Sequence, residues 1–196
     1  MMMQTLLDLD RRLLLFLNGL NHPYLDNVMF YCTQTFFWLP LYLFLIYLII
    51  KNYKKQAWYV LLGVAVTVTL ANEITSSLMK PFFERLRPSQ DPSLQGLVHL
   101  VNGYRGGLYG FASSHAANTF GTAVFVWLAL KPFYKQIGWV FVWAAFMTYT
   151  RIYLGVHYPG DILVGGLVGT ACGWFGYRLA RWLINKFSND KGVTSA

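Results

Sequence analysis

The stretch T-R-I-Y-L-G-V-H-Y-P-G-D, residues 150–161, holds an arginine, a histidine and an aspartate between two long apolar segments. Ionisable side chains are rare at membrane depth and mark functional sites there, so Arg151, His157 and Asp161 are candidate site residues. Pro159 suits the first turn of a helix, which places Asp161 in that turn with its carboxylate within reach of the imidazole. Such a contact fixes the histidine tautomer and makes the other ring nitrogen a better nucleophile, and a purely structural His–Asp contact is the alternative.

The composition indicates an integral membrane protein. Of the 196 residues, 56% are hydrophobic and 12% are charged, whereas soluble domains carry about 25% charged residues. The net charge of +8 does not predict a nucleic-acid partner, because the basic residues lie in short segments between apolar runs, as in the loops of membrane proteins. The length fits one domain and the sequence has no internal repeat, so we predict a single domain over 1–196.

The apolar runs predict an all-α bundle of about five transmembrane helices, preceded by an interfacial amphipathic helix. The interfacial helix is expected over 5–20, because charges interrupt its apolar stretch, which falls short of the roughly 20 residues needed to cross the hydrocarbon. The five spans are expected over 24–50, 56–79, 114–130, 136–153 and 159–184, with a long polar connection over 80–112. Small residues suit close helix contacts in the fifth span, namely Gly165, Gly166, Gly169 and Gly173.

Basic residues lie mainly on one side of this predicted bundle. That side receives Lys51, Lys54, Lys55, Lys131, Lys135, Arg181, Lys186 and Lys191, against a single acid, Asp190. The positive-inside rule makes this side cytoplasmic. The polar stretches 80–88, 113–115 and 150–161 then lie together on the other face, which predicts a cytoplasmic (inner) membrane protein whose site faces the periplasm.

Two further polar stretches supply partners for the first. Lys80 and Arg87 each precede a proline, which disfavours helix at the preceding residue; their alternative role is snorkelling at a membrane boundary. Ser113 is a preferred N-cap, so Ser114 and His115 are expected in the first turn of a helix, where backbone N–H groups and the helix dipole bind anions. The alternative is a capped helix that carries a lone interfacial histidine.

Together the three stretches supply three cations, two histidines, one carboxylate, a serine and a helix N-terminus. These groups suffice for phosphoryl transfer without a metal. The cations neutralise the phosphate oxygens, one histidine attacks the phosphorus, and the other protonates the departing oxygen. We therefore predict that the three stretches meet in one pocket that binds a phosphate group.

Three sequence motifs resemble those of the type 2 phosphatidic acid phosphatase (PAP2) superfamily of membrane lipid phosphatases. The motifs are K-x6-R-P, P-S-G-H and S-R-x5-H-x3-D, and the resemblance covers residues 72–173. Their positions are met at Lys80, Arg87 and Pro88, at Ser113 and His115, and at Arg151, His157 and Asp161. The chain departs from the motifs at three positions, where Ala112, Ser114 and Thr150 replace Pro, Gly and Ser.

The resemblance implies a role for each residue of the motifs. His157 is the nucleophile that forms a phosphohistidine, Asp161 orients it, and His115 is the general acid for the leaving group. The phosphate is held by Lys80, Arg87, Ser113, Ser114 and Arg151. Members of the family need no metal, so the resemblance implies no cofactor.

The resemblance also implies the reaction, which is hydrolysis of a lipid phosphate or diphosphate at the periplasmic face. Undecaprenyl diphosphate and lipid A are the first substrates expected, with phosphatidylglycerophosphate and phosphatidic acid as alternatives. A phosphotransferase that passes the same phosphate to another lipid is a second hypothesis, and a non-enzymatic bundle that binds anionic lipids is a third. The expected partners are the lipid substrate and the bilayer, and the sequence does not indicate an oligomeric state.

Two features near the motifs have more than one interpretation. Glu73 lies on the same helix face as Lys80, so it is a possible accessory residue that pairs with a cation of the site; the alternative is a buried acid bonded to Ser76, Ser77 or a neighbouring helix. The glycine-rich segment 103–110 is either a lid that contacts the headgroup or an ordinary loop.

Overall fold

The computed structural model describes residues 2–188, and this part of the chain is nearly all helical, with no β-strand. The α-helices are α1 Met2–Gly19, α2 Pro23–Cys32, α3 Leu39–Tyr53, α4 Ala57–Asn72, α5 Lys80–Phe83, α6 Ser114–Leu130, α7 Trp139–Tyr153 and α8 Pro159–Ser188. A π-helical segment, Glu73–Met79, joins α4 to α5. Short 3-10 turns lie at Thr35–Trp38, Lys54–Gln56, Pro88–Gln90, Pro92–Leu94, Val101–Gly103 and Lys135–Gly138. Residues Asp190 and Lys191, which entered the charge comparison, lie outside the described part.

Helices α4, α6, α7 and α8 form the centre of the bundle, and α6 makes its largest contact with α8. Glycines on one face of α8 make this contact close. A Cβ atom on each of three glycines would overlap a backbone carbonyl oxygen at the facing side of the contact. The pairs are Gly165 with Ser113, Gly169 with Ala117, and Gly173 with Gly121. Gly166 faces the Phe120 side chain at an ordinary distance instead, so three of the four glycines expected at close contacts make them.

The expected span 24–50 is wrong as one continuous helix. Helix α2 ends at Cys32, a 3-10 turn follows, and α3 begins at Leu39 with a proline in its first turn. The indole N–H of Trp38 donates to the Cys32 carbonyl at 2.7 Å, which satisfies a backbone group that the break exposes. The break turns Thr33 towards α7, where its hydroxyl binds Arg151.

The number of membrane spans stays a prediction. Within residues 2–188, two helical segments are long and apolar enough to cross a membrane, Thr35–Phe83 and Pro159–Phe187. Helices α6 and α7 have 17 and 15 residues, which is shorter than the roughly 20 residues of a typical span. The structure therefore supports an all-helical fold without fixing the expected count of five.

Helix α1 lies across the end of the bundle that holds the polar stretches. The Asn18 side chain is fully buried and donates to the carbonyl oxygens of Ile152, Tyr153 and His99 at 3.1, 2.8 and 3.1 Å. Its own carbonyl oxygen accepts the His99 backbone N–H at 2.7 Å. One asparagine thus joins α1 to the end of α7 and to the 80–112 connection, an attachment that the interpretation as a surface helix did not include.

Candidate active site

The three polar stretches meet at the N-terminal end of α6. The Lys80 ammonium donates to the Ser114 hydroxyl at 2.6 Å, which joins the first stretch to the second. The Ser113 backbone N–H donates to the Asp161 carbonyl oxygen at 3.0 Å, which joins the second to the third. Arg87 Nη1 lies 3.2 Å from His157 Nε2, which joins the first to the third. Each pair of stretches is therefore in direct contact.

His157 lies between α7 and α8 and forms a buried pair with Asp161, which lies in the first turn of α8. His157 is 2% exposed and Asp161 is 0% exposed, and His157 Nδ1 lies 3.3 Å from Asp161 Oδ2. Because a guanidinium has only donors, the contact with Arg87 requires His157 Nε2 to accept. The proton then lies on Nδ1, which donates to Asp161. This arrangement leaves the Nε2 lone pair on the side of the cations, as a nucleophile for phosphorus requires.

The surroundings of His157 keep its imidazole neutral. Burial lowers the pKa of His157 well below its ordinary value, and the charges of Arg87, Arg151 and Lys80 lower this pKa further. A protonated imidazole would have no lone pair to offer. The burial and the cations that would hold a phosphate therefore also maintain the form of His157 that can attack it.

The π-helical segment before Lys80 aims several hydroxyl groups at one atom. Ser114 Oγ lies 2.8 Å from Thr75 Oγ1, 2.7 Å from Ser76 Oγ and 2.6 Å from Lys80 Nζ. π-Helical turns are frequent at functional sites, because the extra residue re-aims the side chains that follow it. Ser114, which replaces the glycine of the family motif, is thus the residue that positions Lys80.

Ser113 starts helix α6 as expected. Its hydroxyl accepts the Ala116 backbone N–H at 3.3 Å, the contact of an N-cap residue. The side chain is fully buried. Ser113 therefore orients the first turn of α6 relative to Asp161, and the N–H groups of that turn point to the same end of the helix as the cations.

Arg151 is held by two residues that sequence patterns did not identify. It is 7% exposed; its Nη1 donates to Thr33 Oγ1 at 2.8 Å and its Nη2 to the Tyr104 hydroxyl at 3.3 Å. Thr150, in the place of the motif serine, donates its hydroxyl to Thr33 at 2.9 Å. Arg151 Nε is buried without a hydrogen-bond partner among the described residues, so a donor is available to an anionic substrate.

His115 lies between this cluster of charges and an apolar cavity. It is within electrostatic range of Arg151 and His157. It also lines a cavity of about 460 Å³ among α3, α4, α6 and α7, whose walls include Ile49, Leu61 and Val126. His115 Nε2 is buried without a hydrogen-bond partner in the described part of the chain. His115 Nε2 is therefore available for a hydrogen bond or a proton transfer at the boundary between the charged cluster and the cavity.

Glu73 is not paired with a cation of the site among the described residues, and an accessory role for it stays a prediction. It is exposed and accepts a hydrogen bond from the Ser77 hydroxyl at 2.7 Å. Among the ion pairs of residues 2–188, none joins Glu73 to a cation of the site. The local contact with Ser77 is the alternative that the structure supports, although Glu73 is not buried.

The glycine-rich segment 103–110 packs directly on the site. Arg87 donates its backbone N–H to the Leu108 carbonyl oxygen at 3.0 Å and its Nε–H to the Tyr109 carbonyl oxygen at 3.1 Å. A Cβ atom on Gly106 would lie 2.9 Å from Arg87 Nη1, and one on Gly110 would lie 3.0 Å from Asp161 Oδ2. The glycines are therefore needed for close approach of the backbone to the charged side chains.

Sequence reasoning missed Arg85 and Asp10. Arg85 donates to Asp161 Oδ1 at 2.8 Å and to Asp10 Oδ2 at 2.7 Å. Arg85 lies between Lys80 and Arg87 of the first motif, and this position could have identified it as a candidate site residue. Asp10 lies in the predicted interfacial helix, where the sequence gives no sign that it contacts the site. Within residues 2–188, no group of three or more His, Cys, Asp or Glu side chains is placed to hold a metal ion.

Comparisons with known proteins give a family match and two relatives that cover most of the chain. The model of the PAP2 superfamily matches residues 56–185. The chain is 39% identical over 194 residues to the lipid A 4'-phosphatase of Bacteroides thetaiotaomicron, covering 98% of this chain and 86% of that protein. It is 37% identical over 188 residues to the lipid A 4'-phosphatase of Porphyromonas gingivalis, covering 92% of this chain and 79% of that protein.

Two crystal structures have a similar fold. Aquifex aeolicus LpxE aligns with a TM-score of 0.64 and 27% identity, over 87% of this chain and 95% of that one. A PAP2-type phosphatidylglycerolphosphate phosphatase from Bacillus subtilis aligns with a TM-score of 0.65 and 22% identity, over 93% of this chain and 88% of that one. From the family match and the extent of the relatives, the chain belongs to the PAP2 superfamily, and it is a phosphatase.

Proposed function

We propose that this protein removes a phosphate from lipid A at the periplasmic face of the cytoplasmic membrane, through a phosphohistidine on His157 and without a metal. The observation that carries the proposal is the line of contacts from Arg87 through His157 to Asp161. It leaves a neutral Nε2 lone pair facing the cations. An anionic phosphate drawn to Arg87, Arg151 and Lys80 would take over the Arg87 N–H that Nε2 accepts, and the phosphorus would then face the Nε2 lone pair.

The reaction proceeds in two steps. In the first, His157 Nε2 forms a bond to phosphorus, the bond from phosphorus to the lipid oxygen breaks, and His115 gives a proton to that oxygen. In the second, water attacks the phosphorus of the phosphohistidine, His115 takes a proton from the water, and His157 leaves. The cations and the first-turn N–H groups of α6 stabilise the charge that develops on the phosphoryl oxygens. Asp161 holds the proton on His157 Nδ1 throughout.

The apolar cavity supports a lipid as the leaving group. Its volume of about 460 Å³ falls within the roughly 300–1,000 Å³ of ligand sites. His115 forms part of its wall, so the group that receives the proton from His115 lies beside an apolar space. Among lipids, lipid A is favoured because two relatives named lipid A 4'-phosphatase match 98% and 92% of this chain.

The residues at the two ends of α6 support the proposed placement in the membrane. The site lies at its N-terminal end, whereas Lys131 and Lys135 follow its C-terminal end. Lys51, Lys54 and Lys55, between α3 and α4, belong to the same basic side in the predicted topology. The positive-inside rule then supports a site that faces outward.

The test is phosphate release by the purified protein in detergent with a chelator present. The substrates are lipid A, undecaprenyl diphosphate, phosphatidylglycerophosphate and phosphatidic acid, and mass spectrometry of the product identifies the phosphate lost from lipid A. We expect release from lipid A, unaffected by the chelator and without an added acceptor lipid. His157→Ala and His115→Ala should each remove most activity, and Asp161→Asn should leave a weaker remnant.

A matched variant and three outcomes make this test decisive. His22 is exposed at the start of α2, so His22→Ala should keep wild-type activity. Full activity in His157→Ala would overturn the nucleophile. Release only in the presence of an acceptor lipid would identify a phosphotransferase. Lipid binding without any phosphate release by the wild type would identify a binding protein.

A further inference from the structure

Arg85 lies between two carboxylates that come from opposite ends of the chain. Its Nη1 donates to Asp161 Oδ1 at 2.8 Å and its Nη2 donates to Asp10 Oδ2 at 2.7 Å. The guanidinium also lies over the Tyr158 ring, with Cζ 3.9 Å from the ring centre. The side chain is 22% exposed. Three separate contacts therefore fix one arginine next to the residue that orients His157.

The two oxygens of Asp161 have different partners. Oδ2 accepts from His157 Nδ1 at 3.3 Å and from the Tyr158 backbone N–H at 3.0 Å, whereas Oδ1 faces Arg85. Rotation of this carboxylate would move Oδ2 away from the imidazole. Because the planar fork of an arginine has rigid geometry, the contact with Oδ1 opposes that rotation.

Asp10 connects the same arginine to the helix that carries Asp161. Its Oδ1 accepts the Gly160 backbone N–H at 2.7 Å, in the first turn of α8, while its Oδ2 accepts from Arg85. A Cβ atom on Gly160 would lie 2.8 Å from Asp10 Oδ2, so this approach requires the glycine. Asp10 therefore caps α8 and holds Arg85 at once.

The attachment of α1 at this point is extensive. Arg11, next to Asp10, donates to the Ser93 carbonyl oxygen at 2.7 Å. Further along α1, the buried Asn18 side chain bonds the end of α7 and the 80–112 connection. The Asp10–Arg85 contact is thus one of several that hold α1 on the site, and its geometry does not depend on a single exposed ion pair.

We propose that Arg85 and Asp10 are positioning residues for the Asp161–His157 pair, so that helix α1 forms part of the catalytic arrangement. This inference rests on the proposed function, because it assigns a role in the attack by His157. Neither residue needs to touch the phosphate. Arg85 fixes the orientation of the Asp161 carboxylate, and Asp10 fixes the orientation of Arg85 and of the first turn of α8.

The charge of Arg85 gives the proposal a signature in the pH profile. The other charged or titratable groups around His157 and Asp161 are Lys80, Arg87, His115, Arg151, Tyr158 and Asp10. When Arg85 is replaced by glutamine, a positive charge is lost, and Asp161 keeps only its contacts with His157 and the Tyr158 backbone N–H. Both changes favour the imidazolium, so His157 takes up its proton at higher pH. The acidic limb of the kcat/KM profile should therefore move to higher pH.

The test compares Arg85→Gln, Arg85→Lys and Asp10→Asn in phosphate release, with kcat and KM measured across pH. For Arg85→Gln we expect kcat to fall by about 10–100-fold with little change in KM, the range found for partners that orient metal-bound histidines. The acidic limb of the kcat/KM profile of Arg85→Gln should move to higher pH by about one unit. Arg85→Lys keeps the positive charge, so the acidic limb of its kcat/KM profile should stay at the wild-type pH. Because lysine lacks the planar fork that bridges two carboxylates, kcat should lie between those of the wild type and Arg85→Gln.

The double variant Asp10→Asn/Arg85→Gln tests whether the two residues act as one unit. We expect it to lose no more activity than Arg85→Gln alone, because asparagine keeps an oxygen that can accept the Gly160 N–H, and the remaining contact of Asp10 is with Arg85. Arg12 and Asp8 are exposed on the same helix, so Arg12→Gln and Asp8→Asn are the matched controls, with unchanged profiles. Thermal unfolding in the same detergent identifies any variant that does not fold, and Arg85→Lys then decides the question.

Several results would overturn the proposal. They are an equal loss of kcat/KM at every pH in Arg85→Gln, losses that multiply in the double variant, or a profile that matches that of Arg12→Gln. Failure of the proposed function is distinguished by the wild-type protein, which would then release no phosphate under any of these conditions. Failure of the positioning role leaves the wild type and His157→Ala unchanged and affects only the comparison of the variants.

Discussion

The contact between α6 and α8 allows a sharp prediction at Gly169. Helix α6 begins next to Ser113 and His115, and α8 begins next to His157 and carries Asp161. Their separation therefore sets the distance between the two halves of the site. A Cβ atom on Gly169 would overlap the Ala117 carbonyl oxygen and would lie 2.8 Å from both Ala117 C and Cα. Gly169→Ala should push the two helices apart.

The magnitude follows from these distances. Ordinary contact begins at 3.4 Å, so the shift needed at 2.8 Å is at least 3.4 − 2.8 = 0.6 Å. Overpacking of this kind costs about 1–3 kcal/mol, and the better helix propensity of alanine returns about 0.5–1 kcal/mol. The net loss is about 0–2.5 kcal/mol, or up to several degrees in the thermal midpoint. Activity should fall about tenfold, because catalysis is sensitive to sub-ångström displacement of its groups.

Gly166 provides the matched control on the same helix. A Cβ atom there would meet the Phe120 ring at 3.4 Å, which is ordinary contact. Gly166→Ala should therefore be neutral or up to about 1 kcal/mol more stable, with wild-type activity. The assay is thermal unfolding in detergent together with phosphate release. Equal stability and activity in the two variants would refute the idea that the spacing of α6 and α8 sets the site.

Three further predictions concern the cation site, the cavity and the pH dependence. Ser114→Ala removes the 2.6 Å contact to Lys80, so KM should rise about tenfold in steady-state kinetics with lipid A. Ala65→Phe narrows the apolar cavity, so kcat/KM should fall several-fold for lipid A but should not change for p-nitrophenyl phosphate. Ala171 is exposed on α8, so Ala171→Phe is the control and should leave kcat/KM unchanged for both substrates. Because folding lowers the pKa of His157, the unfolded chain binds an extra proton below pH of about 6.5. The free energy of unfolding should therefore fall by up to about 1.4 kcal/mol per pH unit as the pH drops below that value, and His157→Asn should flatten this dependence in thermal unfolding.

Local signals explain what the sequence predicted well. Ser113 is the N-cap of α6, and the expected helix 114–130 is the observed one. Pro159 begins α8, which places Asp161 in the first turn, four residues after His157. These features depend on backbone chemistry within one turn of helix, so the sequence carries them directly.

Contacts between distant parts of the chain explain what it did not predict. Thr33 is an uncharged residue in an apolar stretch of the sequence, so nothing local marks it as a site residue. Its contact with Arg151 depends on the interruption of the helix between α2 and α3. Asp10 and Arg85 are 75 residues apart, and no periodicity relates them. Their pairing depends on where α1 docks, which the buried Asn18 side chain helps to fix.

Trapping of the phosphoenzyme tests the central claim, that the three polar stretches form one site in which His157 accepts the phosphate. Purified protein is mixed with lipid A that carries radiolabelled phosphate, quenched in alkali during the first turnover, and digested for mapping by mass spectrometry. We predict a labelled phosphohistidine at His157 in the wild type and in the presence of chelator, and no label in His157→Ala. Phosphate release at the wild-type rate without label on His157, or with label on another residue, would contradict the account.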